Sequence, residues 1–257
     1  MFNDKQYFEV NREERHFGFL FMASVIYDYN FRKKFFELIN NRIGQKAFLD
    51  CDNFDDIYGE VAVLRDYWDD LGNFNGANNC KETNEKRRII IETFLEYFNI
   101  DKAIIDKNKM FWTGEINKSK LWSPGKWNFE NIESVQKEEN LKNRELLRLR
   151  WAFNAKPDVM IISKKSCLII ELKVESGVGT SNYGYNQEET QDDIIKFAKL
   201  TMPYFKDMNF KRIMLTNDKD GHINWSQIKN MLANELVIKH FDNMPKSVCQ
   251  ERKSERN

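Results

Sequence analysis

The stretch "KPDVMIISKKSCLIIELKVES", residues 156–176, holds two apolar runs separated by Lys164-Lys165, and both runs carry charges that a buried strand has little use for. Val, Ile, Leu and Met dominate, as in strands packed on a core. Yet Asp158 stands at the start of the first run, and Glu171 and Lys173 at the end of the second. An unpaired charge taken into an apolar interior costs on the order of several kcal/mol. These charges therefore face water, or they face one another around something that neutralises them.

Alternation along the second run puts Leu168, Ile170, Leu172 and Val174 on one face and Ile169, Glu171, Lys173 and Glu175 on the other. On the first run Asp158, Met160 and Ile162 share a side, with Val159 and Ile161 opposite. A hairpin turning on Lys164 and Lys165 sets Asp158 directly across from Glu171, with Cβ atoms roughly 4.5–5.5 Å apart. Like charges so opposed repel, and a hard divalent cation that binds carboxylate oxygens removes the repulsion. Lys-Lys is not a favoured two-residue turn, which leaves a longer or odd-membered loop as the alternative. The competing reading of the whole stretch is a surface hairpin whose charges form a solvated ladder of ion pairs.

Outward from the hairpin, helices alternate with strands. "NREERHFGFLFMASVIYDYNFRKKFFELIN" (11–40) is helical, with Asn11 and Glu14 spaced as a capping box and Phe17, Leu20, Phe21 and Val25 as a core stripe. A second helix is expected from about Asn53 to Gly72, and a third in "EKRRIIIETFLEYF" (85–98). "KMFWTGEI" (109–116) reads as a strand, and a charged helix as running from about Glu133 to Trp151. After the hairpin come a glycine-rich loop (176–185), a helix over 186–200 capped by Asn186, a strand over 211–217, a turn at 218–221 and a last helix over 224–241. Such alternation implies an α/β chain with a mixed sheet carrying helices on its faces.

Pro157-Asp158, twelve further residues and then Glu171-Leu172-Lys173 resembles the signature of the PD-(D/E)XK nuclease superfamily. The resemblance covers the hairpin well and extends loosely from about Glu85 to Asn217. It implies a mixed central β-sheet flanked by helices, the restriction-endonuclease-like core. Residues 76–245 would form that domain, with a helical N-terminal extension over 1–75 and a tail over 246–257. It also implies that Asp158 and Glu171 hold Mg²⁺, for which Mn²⁺ would substitute, with the Leu172 carbonyl as a further ligand. Lys173 would orient or activate water and stabilise charge on the phosphate; its place between carboxylates favours the electrostatic role over proton abstraction. The family's additional acid would come from the helix before the hairpin, as Glu85 or Glu92, with Glu85 the first choice. Its substrate-contacting glutamine would be Gln187 or Gln191, although Ile195 stands where some branches place a tyrosine. The implied activity is a nuclease cutting DNA rather than RNA, with a role in bacterial defence or mobile elements. The alternative is a nuclease-fold subunit that binds nucleic acid or a protein without cutting. Self-association into a homodimer is left open.

Composition narrows the field. Forty basic residues balance forty acidic ones, so no global positive field marks a nucleic-acid-coating protein, and any polyanion site must be a local patch. The four cysteines form no C-x-x-C pair and only three histidines are present, which argues against structural zinc. Free thiols, the lack of a signal layout at the start and the lack of a long apolar run suggest a cytoplasmic protein without membrane contact. In "SKLWSPGKWNF" (119–129), Trp122 and Trp127 alternate with Lys120 and Lys126. Base stacking beside a phosphate track would use such a mixture, but pinning of a loop onto the core is the favoured reading. Arg144 and Arg148, one turn apart among glutamates, read as a solvated face.

Overall fold

The computed structural model describes residues 14–72, 81–113, 120–141, 144–174, 187–217, 223–242 and 244. In chain order the elements are α1 (Glu14–Tyr27), α2 (Tyr29–Ile43), β1 (Phe54–Gly59), α3 (Val63–Asp70), α4 (Lys81–Tyr97) and α5 (Ile104–Lys107). There follow α6 (Phe129–Glu138), α7 (Glu145–Asn154), β2 (Val159–Ser163), β3 (Ser166–Leu172), α8 (Gln187–Thr201), β4 (Asn209–Thr216), β5 (Ile223–Asn224), α9 (Trp225–Lys229) and α10 (Glu235–Asp242). The caps expected at Asn11 and Asn186, the loop 176–185, the turn 218–221 and the tail from 246 lie outside the described residues. No helix among the described residues is long and apolar enough to cross a membrane.

The chain forms two compact units: Met1–Val61 with Pro157–Gly179 and Met208–Asn257, and Ala62–Lys156 with Thr180–Asp207. Each draws on separated stretches of chain, whereas the sequence reading divides the chain into consecutive blocks, 1–75 and 76–245. The physical reason lies in the first unit. It holds an open five-stranded sheet in the order β1-β2-β3-β4-β5. β1, β2 and β3 pair antiparallel, while β3, β4 and β5 pair parallel. Phe17, Phe21 and Val25 of α1 and Phe31, Phe35, Phe36 and Ile39 of α2 form one core with Val159, Ile161, Leu168, Ile170 and Leu172 of the sheet. The N-terminal helices thus supply the apolar cover for one face of the hairpin. Asp28 separates them, its carboxylate accepting the Phe31 amide at 3.0 Å as the cap of α2.

The Lys164-Lys165 turn closes in two residues after all, since Ser163 pairs with Ser166. Lys164 takes a left-handed conformation, φ 51°, and its amide donates to Asp55 Oδ2 at 2.7 Å. Asp55 lies where the β1–β2 register shifts between Phe54 and Asp56, so an irregularity in the edge strand holds an unfavourable turn. This edge strand replaces the start of the helix expected from Asn53. Its exposed Asp55 and Asp56 mark a sheet edge, and the helix begins only at Val63.

Other boundaries moved too. Of the strand expected over 109–116, Lys109–Phe111 form a 3₁₀ turn followed by an isolated Trp112–Leu121 bridge, and 114–116 lie outside the described residues. The expected 133–151 helix is two helices, separated by Asn140 and Arg144, both with φ 54°. The last helix likewise divides into α9 and α10. Helices α4 and α8 and strand β4 fall where their periodicity places them.

In the second unit Phe94 packs edge-on to Phe153 and close to Phe197, and Trp68 meets Phe153. Arg148 does not belong to a solvated face. It pairs in bidentate fashion with Asp193, which is 2% exposed, through bonds of 2.9 and 2.6 Å. Trp127 is buried at 1% exposure, whereas Trp122 is 37% exposed, so the core-pinning role belongs to Trp127.

Phe21 is fully buried and meets Phe31 and Phe35 edge-on. Phe21→Ala is expected to lower unfolding free energy by about 3–5 kcal/mol. Phe19→Ala, at a position 65% exposed, should stay within about 0.5 kcal/mol. Urea titration followed by circular dichroism checks both.

Candidate functional site

The hairpin register runs from Val159↔Ile170 to Ser163↔Ser166, so Asp158, one residue before β2, stands opposite Glu171. The Glu171 carboxyl is close enough to act directly on that of Asp158. Asp158 Oδ2 also accepts the Leu172 amide at 2.7 Å, and Lys173 Nζ donates to Glu171 Oε1 at 2.8 Å. Glu171 is 3% exposed, and the Lys173 side chain is 11% exposed. The charges of the hairpin therefore face one another, and a solvated ladder does not describe them.

Backbone contacts hold the chain beyond β3 in place. Lys173 N donates to Leu215 O at 2.8 Å, Trp225 Nε1 to Lys173 O at 3.0 Å, and Asn217 Nδ2 to Val174 O at 3.1 Å. Glu14, in the first turn of α1, accepts the Val174 amide at 3.1 Å. Gly18 lies one turn further along that helix. A Cβ there would stand 2.6 Å from Leu172 Cδ1, so the missing side chain lets α1 run close against the end of β3.

Electrostatics follow from this geometry. Burial, and then the negative charge of Glu171, push the Asp158 carboxyl up to about 7, against the opposing pull of the Leu172 amide and Lys173. For Lys173, burial disfavours the ammonium, but the hydrogen bond to Glu171 and the charges of Glu171, Glu14 and Asp158 outweigh it and hold the group above its ordinary value. Near neutral pH Asp158 lies close to its midpoint, and Lys173 is a fixed positive charge rather than a base.

Two carboxylates on neighbouring strands are oxygen donors of the kind Mg²⁺ takes while retaining several waters. Asp158 and Glu171 fit such a loosely held ion. Among the described residues no group of three or more His, Cys, Asp or Glu side chains gathers closely enough to hold a metal by itself. Comparison of the chain with models of known protein families finds no match, and neither curated proteins nor solved structures give a significant one.

The other expected residues belong to the second unit and have surroundings of their own. Glu85 lies 3.8 Å from Lys81, with its side chain 62% exposed, and Glu92 accepts from Arg88 at 2.7 Å. Gln191 is buried on α8, while the side chain of Gln187 lies outside the described residues. The acid beside the hairpin that sequence reasoning did not assign is Glu14, which it placed in a capping box. The available signal was its position one turn ahead of Gly18 on the helix face that carries Phe17 and Phe21.

A carboxyl raised in the folded state binds its proton more tightly there than in the unfolded chain. Folding stability then falls as pH climbs from the ordinary value, 3.8, towards about 7. In EDTA, Asp158→Asn is expected to match wild type near pH 4 and to exceed it at pH 8, by at most about 4 kcal/mol. Thermal melts across that range check the sign, and a variant less stable at pH 8 contradicts it.

Proposed function

We propose that the protein is a Mg²⁺-dependent nuclease that hydrolyses phosphodiester bonds, with DNA preferred over RNA. The observation that carries this reading is the half-buried Asp158 set against the buried Glu171, with Lys173 bonded to Glu171. A protein gains nothing in stability from two acids so placed, and perturbed carboxyls of this kind concentrate where chemistry is done. Support also comes from the resemblance of Pro157-Asp158 and Glu171-Leu172-Lys173 to the PD-(D/E)XK signature, and from an open mixed sheet that carries the pair at one strand end.

Asp158 and Glu171 would hold the ion, with Leu172 supplying a backbone carbonyl. Mg²⁺ so held supplies a water of lowered pKa and a Lewis acid for the phosphoryl oxygen. Lys173, kept charged by its acidic neighbours, offers a preorganised cation to the negative charge that develops on the phosphate. Glu14 adds its charge to the side chain of Lys173 and fixes the following amide, a positioning role. The rival reading is a nuclease-fold subunit that binds nucleic acid or a partner without cutting. A role in bacterial defence rests on the resemblance alone.

Incubation with plasmid DNA, single-stranded DNA and RNA tests the proposal. Cleavage is expected with Mg²⁺ or Mn²⁺ and none in EDTA. Lys173→Ala and Glu171→Gln should lower the rate at least about 100-fold, and Glu14→Gln about tenfold. Binding without any cleavage by the wild type selects the rival.

A further inference from the structure

The second unit contains a cavity of about 280 Å³ between α3, α4 and the segment 120–126. Four cations, Arg65, Arg87, Lys120 and Lys126, line it with one carboxylate, Asp69, and Arg65 also meets Asp66 at 3.5 Å. Neither Lys120 nor Lys126 has a carboxylate bonded to it among the described residues. Arg87 is 1% exposed and spends its Nε and Nη2 donors on the Trp68 carbonyl at 3.2 and 2.9 Å. Its charge still reaches the cavity. Burial, and then the positive charges of Arg87 and Lys126, hold the Lys120 ammonium below its ordinary value, with Asp69 opposing. Lys120 is half-buried and Lys126 exposed, and an anion that joins them relieves the repulsion between like charges.

A second observation points the same way. Ser123, also in the lining, is 6% exposed, and its Oγ has no hydrogen-bond partner among the described residues. Buried hydroxyls are nearly always satisfied, so a donor waiting beside lysines suits an oxyanion. The mouth offers a flat apolar partner as well. Trp122 is 37% exposed, and Lys126 Nζ sits 5.9 Å from the centre of its ring.

We propose that this cavity binds a phosphorylated nucleoside, the phosphate held by Lys120, Lys126 and Ser123 Oγ and the base stacked on Trp122. The volume lies just below the roughly 300–1,000 Å³ of drug-sized pockets, which leaves room for one nucleotide and not for a duplex. Exposed aromatic rings next to cations are the usual platform for a single base. The ligand is either a free mononucleotide or the 5′-phosphorylated end of a strand, since both present the same chemistry. The site uses none of residues 158–174 and stands independently of the proposed cleavage.

Isothermal titration of the full chain in EDTA tests it, with AMP, adenosine, inorganic phosphate and a trinucleotide with or without its 5′-phosphate. AMP is expected to bind at least about tenfold more tightly than adenosine or phosphate alone. Lys120→Met and Lys126→Met should each weaken AMP about tenfold. Trp122→Ala should weaken AMP while sparing phosphate, and Ser123→Ala should weaken both, with thermal melts showing each variant folded. A 5′-phosphorylated trinucleotide that binds like AMP, its unphosphorylated form not binding, identifies a strand end; binding of AMP alone identifies a free nucleotide. Absence of binding by AMP and by the phosphorylated trinucleotide at millimolar concentration overturns the proposal, as does unchanged AMP affinity in both lysine variants.

Discussion

Two carboxyls that a strand register forces together, Glu171 buried and Asp158 half-buried, set the terms for the first unit. Two unit charges about 4–5 Å apart at an effective dielectric near 20 repel by roughly 3–4 kcal/mol. Asp158 and Glu171 meet this cost in part through the Leu172 amide and the Lys173 ammonium, and in part through the upward shift of the Asp158 carboxyl.

The surroundings are arranged so that these groups cannot relax apart. Asp158 is tied into the strand by its own carboxylate, and the backbone at Lys173 is bonded to Leu215 on one side and Trp225 on the other. Gly18 permits α1 to lie against Leu172, and the same helix brings Glu14 to the Val174 amide. The aromatic core that α1 and α2 share with the sheet anchors this helix, so fold stability and placement of the acid have one source. Truncation of the N-terminal helices would strip the sheet face and remove Glu14 together.

The second unit presents the opposite sign of problem. Arginines there meet acids, as Arg148 meets Asp193, Arg88 meets Glu92 and Arg65 meets Asp66, while Lys120 and Lys126 line a cavity with Asp69. A chain whose formal charges sum to zero thus carries a close acidic pair in one unit and a cation-lined hollow in the other. Net charge conceals both, because each is a matter of local placement.

The hairpin and its register were legible in the sequence, since period-two alternation and the Lys-Lys break leave few ways for two apolar runs to pair. Helices α4 and α8 and strand β4 were legible for the same reason: a local period repeated over enough residues. The edge strand β1 was not, because its exposed Asp55, Asp56 and Tyr58 are held by pairing to β2 rather than by any pattern of their own. Nor was the role of Glu14, which lies 157 positions before Glu171 in the chain and comes to the hairpin only through the packing of α1. The cation cluster at Lys120 was visible only as alternating Trp and Lys; that Trp127 goes to the core and Trp122 to a cavity mouth depends on burial. The sequence alone determined which local segments pair and which residue types carry charge. Tertiary structure decided which of those charges share a space, because distances between remote segments are set by packing and not by local periodicity.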